Sequence, residues 1–106
     1  VYIRIGKKGE PAIFSEPPEF VIGRARTVRT GGAACLIATG LVLLEALHAA
    51  DALAARGIDV EVVHMPTIKP LDAAMLASVF HRHTLVGLVE EAALAGGFGG
   101  AVLEWA

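Results

Sequence analysis

The stretch ACLIATGLVLLEALHAADALAARGIDVEVVHMP, residues 34–66, joins two apolar segments through a longer one that is rich in alanine and leucine. The first segment, ACLIATG, is a continuous apolar run closed by Thr-Gly, which is typical of a strand buried on both faces. The middle segment places Leu44 and Leu47 at helical spacing and ends at Gly57, a residue suited to a left-handed helix C-cap. The last segment predicts a second strand that ends at Pro66. A strand, a helix and a strand joined by such short loops predict parallel pairing through a right-handed crossover.

The flanking sequence continues the alternation of strands and helices. The segment AAMLASVFHRH, residues 73–83, predicts a helix, because Asp72 can cap it and both Arg82 and His83 suit its C-terminal end. The segment TLVGLVEE predicts a third buried strand, and AALAGGFGG leads into a last helix, AVLEWA. Near the N-terminus, VYIRI at residues 1–5 and VIGRARTVRTGG predict two further strands, the second an edge strand with a solvated arginine face. These elements predict an α/β fold, a three-layer α/β/α sandwich around a mostly parallel sheet.

The segment GKKGEPAIFSEPPEF, residues 6–20, has the composition of an extended linker. It contains two glycines and three prolines. We therefore predict that residues 1–22 hold the end of a preceding domain and a linker, and that residues 23–106 form a second domain. The last helix begins about two turns before Ala106, so we expect the C-terminal edge of this second domain to be missing.

Composition and charge narrow the class of protein. The 106 residues are 55% hydrophobic with a mean hydropathy of +0.61, yet no uninterrupted apolar run reaches the roughly 18 to 20 residues of a membrane helix. The formal net charge is −2, and the basic residues are spread along the chain, which argues against a nucleic-acid partner. The single cysteine, Cys35, excludes an intramolecular disulfide, and no signal-peptide pattern is present, so we predict a cytoplasmic protein.

Lys69 and three glycines are candidate site residues. Lys69 lies at the carboxyl end of a predicted parallel strand, where open α/β sheets bind ligands or neighbouring domains, so it is either solvated or makes such a contact. Gly96, Gly97 and Gly99 stand between a strand and a helix. They either pack the helix start against the sheet or offer backbone N–H groups to an anion. Their spacing does not match the dinucleotide-binding fingerprint.

The acidic and histidine residues do not form a complete active site in the sequence pattern. Glu90 and Glu91 are adjacent in a strand and point to opposite faces, so they cannot act as a catalytic pair, and we predict that Glu90 contacts another domain or a ligand. His81 and His83 lie roughly 200° apart on a helix, which disfavours joint metal ligation. His64 stands alone and is interpreted as structural.

The segments VYIRIGKKGEP, LIATGLVLLEALHAADALAARGIDVEVVHMPTIKPLD and VEEAALAGGFGGAVLEW together resemble the C-terminal part of the transketolase family. Each motif is modest alone, but their order and spacing are specific. The resemblance implies a parent enzyme that uses thiamine diphosphate and a divalent ion, usually magnesium, to transfer a two-carbon ketol unit between sugar phosphates. It also implies that preceding domains or a separate subunit hold the cofactor in a homodimer. This chain alone would then bind no cofactor, be inactive and mainly support assembly.

The same resemblance gives Arg4 a role. VYIRI, residues 1–5, would be the last strand of a preceding pyrimidine-binding domain, and Arg4 stands where transketolases have an arginine that grips the substrate phosphate. A planar guanidinium can donate two parallel hydrogen bonds to a phosphate, although an arginine at the end of an edge strand is often merely exposed. Ala92 follows VEE where many transketolases have a histidine. Deoxyxylulose-phosphate synthase and the partner-docking β-chain of 2-oxo acid dehydrogenases therefore remain alternatives.

Overall fold

The computed structural model describes residues 1–6 and 9–106 of the chain. In these residues four strands form one sheet in the order β1-β3-β2-β4, in which β1 is antiparallel to β3 and the other neighbours are parallel. The strands are β1 (Arg26–Arg29), β2 (Ala34–Ala38), β3 (Val60–His64) and β4 (Val86–Val89), and the helices are α1 (Leu43–Ala54), α2 (Ala73–Arg82) and α3 (Phe98–Trp105), with a 3-10 turn at Gly40–Val42 before α1.

Helices cover both faces of this sheet. Leu76 of α2 and Val102 of α3 are buried against one face, together with Cys35 of β2. Leu43 of α1 is buried against the opposite face, together with Val62 of β3. Neighbouring residues of a strand thus enter different cores, which is why β2 is a continuous apolar run and β3 is an apolar run interrupted by Glu61. The structure confirms the three-layer α/β/α sandwich and the mostly parallel sheet.

The local signals at the helix ends are confirmed. Gly57 follows α1 with φ of +79°, a left-handed conformation that costs glycine little. Asp72 caps α2, because its Oδ1 accepts a hydrogen bond from the Met75 N–H at 3.0 Å. The buried face of α1, however, comprises Leu43, Ala46 and Ala50. The predicted face, which contained Leu44 and Leu47, is therefore wrong by one residue. Apolar side chains occupy most sides of this helix, so its hydrophobic periodicity does not identify the buried side clearly.

Residues 1–6 are exposed and pair with no strand in the described part of the chain. The strand predicted at residues 1–5 would pair within a preceding domain, so it stays a prediction. Two other sequence predictions were wrong in detail. β4 lies at a sheet edge and is half-buried, whereas a fully buried strand was predicted. α3 begins at Phe98, so Gly99 lies inside its first turn rather than before it. Residues 7 and 8 of the predicted linker lie outside the described residues. No described helix is both long and apolar enough to cross a membrane.

Candidate functional site

The carboxyl ends of β2 and β4 mark the point where the chain leaves the sheet toward opposite faces. β2 leads to α1 on one face, and β4 leads to α3 on the other. Thr39 follows β2, and its N–H donates to the Val89 carbonyl at 3.3 Å, so the two strand ends remain joined. Such a switch in direction is where open α/β sheets most often bind ligands. Glu90 is the first residue after β4 at this point.

Glu90 turns back onto the start of α3. Its Oε2 accepts a hydrogen bond from the Gly99 N–H, and its Oε1 is buried with no hydrogen-bond partner among the described residues. A Cβ on Gly97 would collide with the Glu90 carboxylate and with the Ala93 carbonyl oxygen. The structure therefore brings together three predicted site residues, Glu90, Gly97 and Gly99. Gly96 lies beside them, exposed, with φ of +74°.

The position of the Glu90 carboxylate supports one of the two interpretations of these glycines, and their contact with a ligand or domain stays a prediction. It lies at the N-terminus of α3, where an external anion would accept the same N–H hydrogen bond. Gly97 provides the space that this carboxylate needs. The geometry favours a packing role for the glycines over a phosphate site, while an interdomain or ligand contact by Glu90 stays a prediction.

The PTIKPLD loop ties the start of β1 to the end of β3. Thr67 Oγ1 accepts a hydrogen bond from the Gly23 N–H at 3.0 Å, and Asp72 Oδ2 accepts one from the Ala25 N–H at 2.8 Å. Asp72 therefore serves two elements, since its other oxygen caps α2. Lys69 is exposed in the same loop. Most of this motif thus fixes the backbone, and a ligand or domain contact by Lys69 stays a prediction.

A cavity of about 720 Å³ lies between the N-terminal segment and the edge of the sheet near β1. Phe14 and His64 line it, with ring centroids 6.0 Å apart, and the Arg26 guanidinium lies 5.8 Å from the centre of the Phe14 ring. Burial, followed by the charge of Arg26, lowers the pKa of His64. Sequence reasoning missed this cavity because it forms only when residues near Phe14 fold back onto the sheet. Arg4 does not line it and is exposed.

A buried ionic cluster on the α2 face of the sheet was also missed. Glu61 of β3 is buried, and its carboxylate bonds to Arg82 and to His83 Nε2, the latter at 2.5 Å. Thr27 Oγ1 donates to the same carboxylate at 3.2 Å. His83 is the C-cap of α2 with an extended backbone, so it does not share the helix with His81 as predicted. A glutamate inside the apolar run VEVV was the available signal, since a buried carboxylate requires partners.

Hydrogen bonds and burial shift the ionisation of this cluster. The Arg82 hydrogen bonds lower the pKa of Glu61 more than burial raises it, and the His83 hydrogen bond lowers it further. Cys35 lies beside Glu61 on the neighbouring strand, as its register partner. Burial, and then the Glu61 charge, raise the pKa of the Cys35 thiol to about 12. Without a bound cation, the thiol is therefore protonated at neutral pH.

This cluster does not fit the magnesium and diphosphate that the family resemblance implies. Cys35, Glu61 and His83 are the group whose potential ligand atoms come together in the described residues. Magnesium prefers oxygen ligands and retained water, whereas this group offers one sulfur, one nitrogen and a single carboxylate. We therefore assign no thiamine diphosphate chemistry to the residues described.

A family model for the C-terminal domain of transketolase matches residues 23–106. The chain belongs to this transketolase C-terminal domain family. A solved structure described as "Split gene transketolase, inactive beta4 tetramer" agrees with this transketolase-type fold. The word beta4 in that description belongs to the tetramer and does not refer to strand β4. That structure superposes with a TM-score of 0.86 at 35% identity, covering 92% of this chain and 32% of that one.

Curated relatives include two kinds of transketolase-family enzyme. The chain is 41% identical over 105 residues to the 6-deoxy-6-sulfo-D-fructose transketolase subunit of Clostridium sp. (strain MSTE9), covering 98% of this chain and 32% of that protein. It is 42% identical over 103 residues to 1-deoxy-D-xylulose-5-phosphate synthase of Thermomicrobium roseum, covering 97% of this chain and 16% of that protein. The transketolase C-terminal domain described here thus spans about a third or less of either relative.

Proposed function

We propose that this chain is the C-terminal domain of a cytoplasmic transketolase that depends on thiamine diphosphate and transfers a two-carbon ketol unit between sugar phosphates. The observation that carries the proposal is the 41% identity, across 98% of the chain, to a 6-deoxy-6-sulfo-D-fructose transketolase subunit. Thiamine diphosphate and magnesium would be held by domains or a subunit outside this chain. The chain itself would support assembly of a homodimeric enzyme and would be inactive alone.

Exposed apolar side chains at the N-terminus support the assembly role. Tyr2 is 88% exposed, and Val1, Ile3 and Ile5 are also exposed. Clustered apolar side chains of this size mark surfaces that associate with other protein, because burying them gains roughly 25 cal/mol per Å². The proposed cover is the preceding pyrimidine-binding domain, against which residues 1–5 would pair as a strand. Arg4 would then lie at the substrate phosphate.

The proposal is tested by a ketol-transfer assay on the enzyme that contains this chain together with its cofactor-binding domains or subunit. Xylulose 5-phosphate serves as donor and ribose 5-phosphate as acceptor, with thiamine diphosphate and magnesium. We expect turnover that disappears when thiamine diphosphate is removed. An active preparation that processes other substrates but transfers no ketol unit would reject the transketolase assignment.

The second candidate is deoxyxylulose-phosphate synthase, which the 42% identity to the Thermomicrobium roseum enzyme supports. Condensation of pyruvate with glyceraldehyde 3-phosphate by the same preparation would select it over transketolase. The dehydrogenase β-chain stays a weaker alternative that predicts recovery of an acyltransferase partner in a pull-down. All three candidates keep the chain as a C-terminal domain that works with other domains or subunits.

A further inference from the structure

Cys35, Glu61 and His83 place three different metal-binding groups at one buried point. A sulfur atom, a carboxylate oxygen and a ring nitrogen, one from each residue, lie within 4.8 Å of one another. Cys35 and Glu61 are register partners on β2 and β3, so their side chains project side by side from the same face. His83 caps the end of α2, the helix that covers this face. Three separate elements thus converge on the cluster.

His83 presents one ring nitrogen to this cluster. Its Nε2 lies 2.5 Å from Glu61 Oε2, and the residue is buried. The two ring nitrogens of a histidine point in different directions, so Nε2 is the nitrogen that can bind an ion shared with Glu61. An ion there would replace the hydrogen bond between Nε2 and the Glu61 carboxylate.

We propose that Cys35, Glu61 and His83 form a binding site for a zinc-like transition-metal ion, which links β2, β3 and the end of α2. Sulfur, imidazole nitrogen and carboxylate oxygen are the donors that Zn²⁺ and Co²⁺ accept in tetrahedral sites. Three protein ligands leave the fourth position for water or for a small ligand. The site is separate from the proposed ketol transfer and does not depend on that activity.

Arg82 is the group that the ion must displace from Glu61. Its guanidinium holds the Glu61 carboxylate in this structure, with Nη2 2.5 Å from Oε1. The Arg82 side chain is 36% exposed, so it can turn toward water when the ion binds. Binding exchanges an ion pair for a coordination bond, and the Cys35 thiol releases its proton to solvent as the thiolate forms. Metal affinity is therefore expected to rise with pH.

Titration of the chain with Co²⁺ tests the proposal. We expect one ion per chain and a near-ultraviolet absorption band from thiolate coordination, which added Zn²⁺ removes by displacement. Cys35→Ser should lose the band, and His83→Gln should weaken binding, while His48→Ala, which changes an exposed histidine on α1, should bind like the wild type. Arg82→Ala should retain the band, because the guanidinium competes for Glu61 and is not a ligand.

The wild-type chain alone can overturn the proposal. Absence of a stoichiometric thiolate band in folded wild-type protein would exclude the site, whatever the variants do. Equal Co²⁺ affinity in wild type and in folded Cys35→Ser would assign the ion to another place. If circular dichroism shows that Cys35→Ser does not fold, Cys35→Ala provides the same comparison without a buried hydroxyl group.

Discussion

Glu61 on β3 and Arg82 at the end of α2 are joined at two points, with Arg82 Nε 3.1 Å from Oε2 and Nη2 2.5 Å from Oε1 of the carboxylate. The Glu61 side chain is 5% exposed, whereas Arg82 reaches the surface. Because β3 is an interior strand of the sheet, this pair sets where the end of α2 lies on its face. Planar two-point contact of this kind is specific to arginine among the basic side chains.

Replacing Arg82 with Ala should destabilise the metal-free chain. Glu61 would keep only His83 and Thr27 as partners in a buried position. A lost hydrogen bond to a charged group costs about 1.5 to 3 kcal/mol. Urea unfolding in the presence of a chelator measures this loss, and Arg56→Ala, an exposed arginine after α1, is the matched control. Arg82→Lys should recover only part of the stability, and full recovery would show that charge alone matters.

Replacing Asp72 with Ala should lower the free energy of unfolding by more than the loss of an ordinary helix cap does. One carboxylate oxygen caps α2 through Met75, and the other holds the Ala25 N–H beside the start of β1. Helix caps contribute typically about 1 kcal/mol, so we expect a total loss of about 2 kcal/mol. Asp72→Asn keeps one acceptor oxygen and should lose less in the same urea titration. Almost no loss in Asp72→Asn would mean that only one contact matters, whereas equal losses in the two variants would mean that the contacts require the charged carboxylate.

Replacing Gly97 with Ala should destabilise the start of α3. The new methyl group would collide with the Glu90 carboxylate and with the Ala93 carbonyl oxygen, and overpacking of this kind costs about 1 to 3 kcal/mol. Gly99→Ala is the matched control, because its Cβ would lie 3.4 Å from Glu90 Oε2, within ordinary contact. Thermal unfolding of both variants, alone and combined with Glu90→Ala, measures how far each substitution depends on the Glu90 carboxylate. An unperturbed Gly97→Ala would contradict the close approach of Glu90.

The elements that sequence analysis predicted correctly are those fixed by local signals. Apolar runs identified β2 and β3, Gly57 identified the end of α1, and Asp72 identified the start of α2. Each depends on backbone sterics or on hydrogen bonds within a few residues. The strand predicted at residues 1–5 stays a prediction, because a strand depends on a partner and none of the described strands pairs with these residues.

The candidate site could be predicted only in part. Glu90 and the glycines were selected by their place after a strand, but their mutual contact depends on how the loop between them folds. The Glu61 cluster joins residues about twenty positions apart in sequence, on β3 and at the end of α2. Helical spacing alone placed His83 on the same helix as His81, whereas the extended backbone at the C-cap turns His83 into the core.

Stability should fall as the pH drops below about 6.5 because of His64. Burial and the Arg26 charge hold the pKa of His64 below its ordinary value of 6.5, so the unfolded chain takes up a proton first. The contribution of His64 to the free energy of unfolding is therefore fully present above pH 6.5. It is lost as the pH falls through the pKa of His64 in the folded chain. Urea midpoints of wild type and His64→Phe, measured from pH 8 to pH 5, isolate this contribution by difference. The same slope in both proteins would assign the pH dependence to other groups.

Replacing Arg4 with Ala in the complete enzyme should raise the KM for phosphorylated sugars. The proposed role is a charge-assisted contact to the substrate phosphate, whose loss costs about 1.5 to 3 kcal/mol, or roughly a tenfold to hundredfold weakening. The change should be confined to phosphorylated substrates, since an unphosphorylated donor lacks the group that Arg4 would hold. Arg56→Ala supplies a control that removes the same charge elsewhere. An unchanged KM in Arg4→Ala would mean that this exposed arginine stays in solvent when the enzyme assembles, and would leave substrate binding to residues outside the chain.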